Sequence, residues 1–155
     1  MKVNESVIHK LLLVNPGKLL KNLTVSSSEF RLITAMDILN REVNEGYKSG
    51  TTFGKIDLIL RYRSMQYVTE IKYNVPTNTS SDFWDSLKVL GYYEYYKWQT
   101  GITNKVRPAV ILPLYSVKLE QQIIAGKLNI AVFGFYEEKS EPKLKLLDDR
   151  PVWKQ

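Results

Sequence analysis

The chain has 155 residues, no cysteine, one histidine and a formal charge of +6 from 22 basic and 16 acidic residues. This length predicts one domain whose core folds without disulfides, and the scarcity of cysteine and histidine excludes zinc fingers, zinc hydrolases and thiol enzymes. No apolar run approaches the roughly 18 residues of a membrane span, and no secretion signal is recognisable, so we expect a soluble cytoplasmic protein without membrane contact. An enzyme of this composition would use carboxylates, lysine and a hard metal ion.

Two helices are predicted to precede the first strands. Apolar residues share one side of residues 3–14, and a Pro-Gly pair follows, so residues 1–25 are expected to form a helical extension. Residues 29–44 carry apolar side chains at helical spacing, and three serines before them offer N-caps. We therefore predict a long helix over residues 29–44.

Beyond residue 50 the pattern changes to alternating strands and helices. Val, Ile, Leu and Tyr dominate residues 52–62 and 66–73, which predicts a β-hairpin. The later predicted elements are a helix at 82–99, a strand at 107–114, a helix at 117–125 and a strand at 129–136. The charged residues 137–155 are predicted to form an edge strand, a loose helix or a tail. This order predicts one α/β domain over residues 1–155, with a mixed sheet flanked by helices.

Three ionisable residues interrupt the apolar strands of the predicted hairpin: Asp57 in the first strand, Glu70 and Lys72 in the second. A two-residue turn at Arg63 and Ser64 sets Asp57 opposite Glu70, with Cβ atoms about 5 Å apart. A four-residue loop would set Asp57 opposite Lys72 instead. Both registers leave all three side chains on one face.

Two carboxylates this close repel each other unless they are protonated or share a cation. Mg²⁺ or Mn²⁺ prefers oxygen ligands and supplies a Lewis acid, and a neighbouring lysine can hold a water or stabilise charge on a phosphate. This combination predicts metal-dependent hydrolysis of phosphodiester bonds.

The hairpin resembles the PD-(D/E)XK nuclease superfamily, which includes archaeal Holliday junction resolvases and RecB-like nucleases. The residues that carry the resemblance are Gly54, Lys55, Ile56, Asp57 and Leu58, followed by Glu70, Ile71 and Lys72. It implies a restriction-endonuclease-like αβββαβ core and DNA as the substrate. It also implies that Asp57, Glu70 and the Ile71 carbonyl bind the metal ion and that Lys72 is the catalytic lysine.

Members of this superfamily often add an acidic residue from a preceding helix. Glu29 lies near the centre of the apolar stripe of the predicted helix 29–44, which makes it the candidate. A first-turn glutamate that favours the helix dipole is the alternative interpretation, and Asp37 is the alternative ligand.

Lys88 and Tyr92 lie four residues apart in the predicted helix 82–99, similar to a glutamine and tyrosine pair of RecB-like nucleases. With Lys55, we expect them to contact DNA. The surrounding tyrosines are interpreted as a packed helix face, with base stacking or a homodimer contact as alternatives. The sequence as a whole predicts a Mg²⁺- or Mn²⁺-dependent deoxyribonuclease, the alternatives being an inactive nuclease-like DNA-binding or assembly module, or a structural protein.

Overall fold

The computed structural model describes residues 3–43, 52–73 and 79–147. Its six strands form one sheet in chain order. The strands are β1 (Thr24–Ile33), β2 (Thr52–Tyr62), β3 (Met65–Ile71), β4 (Val106–Pro113), β5 (Ala131–Glu138) and β6 (Glu141–Leu146). The helices are α1 (Glu5–Val14), α2 (Pro16–Leu19), α3 (Ala35–Val43), α4 (Thr79–Ser86), α5 (Val89–Thr100) and α6 (Leu119–Lys127), with a 3₁₀ turn at Leu114–Ser116.

The sheet is mixed. Strands β1, β2 and β3 form an antiparallel meander, β3, β4 and β5 are parallel, and β6 returns antiparallel to β5. Helix α6 makes the crossover between the parallel strands β4 and β5, as the sequence predicts. The predicted α/β class, with a mixed sheet flanked by helices, is therefore confirmed.

Helices cover both faces of the sheet, and each face has its own apolar core. Helices α1 and α2 bury Ile8, Leu12 and Leu19 against one face. Helices α4, α5 and α6 contribute to the core on the opposite face, with Phe83, Val89, Tyr96 and Ala125 among its buried residues. Burial of these side chains is the main driving force for the fold.

The tyrosines of α5 pack onto the sheet and keep their hydroxyls at polar partners. The Tyr96 hydroxyl bonds to the Gln66 side chain at 3.1 Å, and the Tyr93 hydroxyl donates to the Val106 carbonyl at 3.3 Å. Buried tyrosines commonly find such partners. The packing interpretation of this helix is the one that the structure bears out.

The predicted helix over residues 29–44 is wrong at its N-terminal end. Residues 24–33 form strand β1, and α3 begins only at Ala35, where Thr34 and Asp37 make a cap: the Asp37 amide donates to Thr34 Oγ1 at 3.3 Å. Pairing of β1 with β2 along almost its whole length outweighs the local serine caps. Residue 44 lies outside the described residues.

The predicted helix over residues 82–99 is divided into α4 and α5. Ser86 is buried and its hydroxyl donates to the Phe83 carbonyl at 2.6 Å, a side-chain bond that competes with helix continuation. Lys88 precedes the first residue of α5. At the other end Gly101 terminates α5 in the left-handed region, at φ 75°, as predicted.

The charged C-terminal segment contains an edge strand, which was one of the three predicted forms. Lys139 and Ser140 both have positive φ and form the two-residue turn between β5 and β6. Residues 148–155 lie outside the described residues.

Gly134 is expected to be intolerant of a side chain. A Cβ at this position of β5 would lie 2.6 Å from Leu114 Cδ1 and 3.2 Å from Leu114 Cα, because the 3₁₀ turn packs directly on the strand. We expect Gly134→Ala to lower the free energy of unfolding by about 1 to 3 kcal/mol, measured by urea denaturation. Gly91→Ala in α5 is the matched control: a Cβ there meets no atom within 4 Å, so equal or higher stability is expected. A Gly134→Ala protein as stable as the wild type would contradict this close approach.

Candidate metal centre at the hairpin

The turn between β2 and β3 fixes the register that brings the acidic residues together. Arg63 and Ser64 both have positive φ, at 52° and 65°, and form a two-residue turn. The ladder runs from Tyr62 opposite Met65 to Leu58 opposite Thr69. The ladder ends there, and its register, continued by one position, aligns Asp57 with Glu70, as the shorter predicted turn requires.

Asp57 lies where the two strands separate. The ladder ends at Leu58 and Thr69, and one position beyond it Asp57 Oδ2 accepts a hydrogen bond from the Ile71 amide at 2.9 Å. A side chain thus replaces a backbone acceptor at this point. The bond holds the Asp57 carboxylate beside the strand that carries Glu70.

Strand β2 also changes face at Asp57. Residues two apart on a regular strand share a face, yet Ile56 belongs to the core under α5 and Leu58 to the core under α1. Asp57 is the residue between them. It is half-buried at the boundary between the two cores.

Strand β1 makes the same change at the position opposite Asp57. Ser28 Oγ lies 2.8 Å from His9 Nε2 of α1, whereas the Phe30 ring contacts the Tyr96 ring of α5, with centroids 5.0 Å apart. Glu29 between them adopts a φ of 50° and is exposed. A left-handed conformation is uncommon outside glycine, and here it accompanies the paired crossing of the two strands.

Glu70 is a buried carboxyl group with a raised pKa. Its residue is 3% exposed. Burial, and next the negative charge of Asp57, raise its pKa from 4.5 to about 7, while the charges of Lys88 and Lys72 partly oppose the rise. A buried carboxyl beside a second carboxylate is the arrangement that a shared cation would relieve.

Two lysines flank this carboxylate pair. Lys88 Nζ lies 3.5 Å from Glu70 Oε2, and the same ammonium lies 5.9 Å from the centre of the Tyr92 ring. Lys72 follows Glu70 by two residues, so the two share a face, and the Lys72 amide is held by the Ile111 carbonyl at 3.0 Å. The site therefore contains two negative and two positive side chains.

The residues predicted from the sequence thus divide into two groups. Asp57, Glu70, Lys72 and Lys88 lie close enough to interact electrostatically. The Tyr92 ring packs on β2 at Gly54, where an added Cβ would lie 3.7 Å from the Tyr92 hydroxyl. Of the other predicted residues, Lys55 is exposed on β2, and the Ile71 side chain is buried while its amide donates to Asp57 Oδ2.

The expected helical carboxylate is placed differently. Glu29 lies on β1 rather than on a helix, because residues 24–33 are a strand; its register position is opposite Asp57, but it is exposed. Asp37 is buried at the start of α3, where its Oδ2 accepts from the Thr34 hydroxyl at 2.8 Å. Its carboxylate therefore serves a helix cap.

The sequence did not reveal that the Glu5 side chain contacts the chain near the end of β3. This residue lies in the first turn of α1, behind an Asn4 cap, and its Oε1 accepts from the Tyr73 amide at 3.4 Å, just beyond β3. The first-turn position was a visible signal, but the contact joins residues 68 apart. Within residues 3–43, 52–73 and 79–147, no three acidic, histidine or cysteine residues are close enough to hold a metal ion together.

Comparisons with protein-family models, with curated protein sequences and with solved structures found no match for this chain. Among the helices of the described residues, none has both the length and the hydrophobicity of a membrane span. Function is therefore inferred from the chemistry of the site alone.

Proposed function

We propose that this protein is a Mg²⁺- or Mn²⁺-dependent nuclease that hydrolyses phosphodiester bonds in DNA. The observation that carries the proposal is the buried Glu70 carboxyl, whose pKa is raised to about 7 by burial and by the neighbouring Asp57. Strongly perturbed carboxyls beside lysines are typical of functional sites rather than of solvated sheet faces.

The donor atoms fit a hard divalent ion. Asp57 and Glu70 offer carboxylate oxygens, and we assign the Ile71 carbonyl as a further ligand. Magnesium commonly binds to one or two carboxylates and keeps several waters, so two acidic side chains suffice. When bound, the ion would polarise the scissile phosphate and acidify a water.

Lys72 has the catalytic role in this proposal. Its positive charge acts on Glu70 and partly opposes the rise in the pKa of that carboxyl, and from there it would hold the attacking water or stabilise the charge that develops on the phosphate. Lys88, Tyr92 and exposed Lys55 would contact the DNA backbone, and the net charge of +6 favours a polyanion. Glu29, opposite Asp57, stays a candidate acidic residue of this site.

The element order supports the same proposal. Helix α1, strands β1 to β3, helix α5 and strand β4 follow one another as in a restriction-endonuclease-like αβββαβ core, with α3 inserted between β1 and β2 and α4 preceding α5. A homodimer stays a prediction from the sequence.

The test is DNA cleavage by the purified chain. We expect cleavage of supercoiled plasmid, single-stranded DNA or a four-way junction with Mg²⁺ or Mn²⁺, and none with EDTA, followed on gels over time. Glu70→Ala should abolish it because one of the two carboxylates is lost. The matched control Glu94→Gln, an exposed glutamate of α5, should cleave normally.

Two outcomes would contradict the proposal. Cleavage by the Glu70→Ala protein would show that Glu70 is not part of the catalytic site. Salt-sensitive DNA binding without cleavage of any substrate would favour the inactive DNA-binding module.

A further inference from the structure

Lys88 makes an ion pair that a metal-binding carboxylate would have to give up. Its Nζ lies 3.5 Å from Glu70 Oε2. The Glu70 side chain is 4% exposed, whereas that of Lys88 is 48% exposed. The anion is therefore fixed inside the protein, and the cation reaches it from the solvent side.

The position of Lys88 allows its ammonium group to move away from Glu70. It immediately precedes α5, next to the break after α4, and its side chain has four flexible carbons. The Tyr92 ring lies 5.9 Å from the same Nζ, and an aromatic face attracts a cation. Release into water carries little penalty for a side chain that is already half exposed.

An ammonium group and a divalent ion that both bind Glu70 would repel each other. A magnesium–oxygen bond is about 2.1 Å long, so an ion on Glu70 Oε2, the oxygen that Lys88 contacts, would lie within roughly 6 Å of the ammonium in its present place. Like charges at this distance repel each other, and water screens this repulsion only in part, because the carboxylate is 4% exposed although the Lys88 side chain is 48% exposed. Lys72 adds further positive charge on the same face.

We infer that Lys88 is a resident counter-cation of this site, which neutralises Glu70 while no metal ion is bound and is displaced when one binds. This inference rests on the proposed function, and it gives Lys88 a regulatory role that sets the metal affinity. Binding of Mn²⁺ then includes the work of breaking the ion pair between Lys88 and Glu70.

The test measures Mn²⁺ binding alone, by titration calorimetry or by the paramagnetic signal of free Mn²⁺, on the full chain without DNA. We expect Lys88→Met and Lys88→Gln to bind Mn²⁺ about threefold to tenfold more tightly than the wild type, because a competing positive charge is gone.

Lys97→Met is the matched control. Lys97 lies on α5, pairs with a glutamate, Glu94, at 3.2 Å and lies 4.3 Å from a tyrosine ring. It has the same chemistry at a different place, so its replacement should leave Mn²⁺ affinity unchanged. Thermal melts of all variants report whether each one is folded.

The outcomes separate this inference from the proposed function. Equal or weaker Mn²⁺ binding by folded Lys88 variants, with normal binding by the wild type, overturns the counter-cation and leaves the nuclease proposal in place. Absence of binding in the wild type and in both variants overturns both. Binding that appears only in the Lys88 variants supports the counter-cation.

Discussion

A methionine in place of Lys72 is expected to slow DNA cleavage by about a hundredfold or more while Mn²⁺ still binds. Methionine keeps most of the length of the side chain and removes its charge. Lys72 lies two residues beyond Glu70 on the same face, and its main chain is anchored to β4 through the Ile111 carbonyl. The substitution therefore removes the ammonium and leaves the sheet intact.

The separation of cleavage from metal binding distinguishes a catalytic role from a structural one. The proposed ligands are the oxygens of Asp57, Glu70 and Ile71, so loss of a positive charge should leave Mn²⁺ affinity equal or higher. Single-turnover cleavage rates and Mn²⁺ titrations measure the two properties. Lys10→Met, at an exposed lysine on α1, is the control and should cleave at the wild-type rate. A Lys72→Met protein whose cleavage rate is within a few-fold of the wild-type rate would show that this lysine has no catalytic role.

The hairpin was predictable because local rules fix it. A two-residue turn at Arg63 and Ser64 leaves one register, and period-two alternation then assigns the face of each side chain. The sequence left two registers open, with Asp57 opposite Glu70 or opposite Lys72, and the observed two-residue turn selects the first. The sequence did not reveal the crossing of faces at Asp57, which is accompanied by the left-handed backbone of Glu29 on the neighbouring strand.

The failure at residues 29–44 has a different cause. Strand β1 is largely polar and lies at the edge of the sheet, so its alternation is weak, and the apolar residues Leu32, Ile33, Met36 and Leu39 mimic a helical stripe. In the structure Leu32 and Ile33 are buried in the strand, while Met36 and Leu39 are exposed on α3. Long-range pairing with β2 decided the structure, and a short window of sequence does not contain it.

The contacts that give the site its character also join distant parts of the chain. Spacing alone related Lys88 to Tyr92, but the ion pair of Lys88 with Glu70 depends on how α5 packs on β3. Outside the site, the contact of Glu5 with the Tyr73 amide likewise depends on the packing of α1 near the end of β3. Tertiary packing, rather than local pattern, determines these parts.

Glutamine in place of Glu70 is expected to stabilise the metal-free protein above about pH 7. The ordinary pKa of this carboxyl is 4.5 and the folded protein raises it to about 7, so between these values the folded state holds a proton that the unfolded state has lost. Stability of the wild type should therefore fall as the pH rises through this window. At about pH 8 the free energy of unfolding of Glu70→Gln should exceed that of the wild type by on the order of 3 kcal/mol, because one pKa unit corresponds to about 1.4 kcal/mol.

Urea unfolding in EDTA across this pH range measures the effect. Glu70→Gln removes the titrating group and keeps the shape of the side chain, and half-exposed Lys88 can be hydrated once its partner is gone. The exposed control Glu94→Gln should change stability by no more than about 0.5 kcal/mol. A Glu70→Gln protein that is less stable than the wild type above about pH 7, or that keeps the wild-type pH dependence, would contradict the raised pKa.

Addition of Mn²⁺ should reverse the order of the two proteins. An ion that binds only the folded state stabilises it in proportion to the logarithm of its concentration above Kd. The wild type, with both carboxylates, should gain stability with Mn²⁺ at about pH 8, and Glu70→Gln should gain little. This reversal would show that the Glu70 carboxylate serves the ion, since the fold without metal would favour the amide.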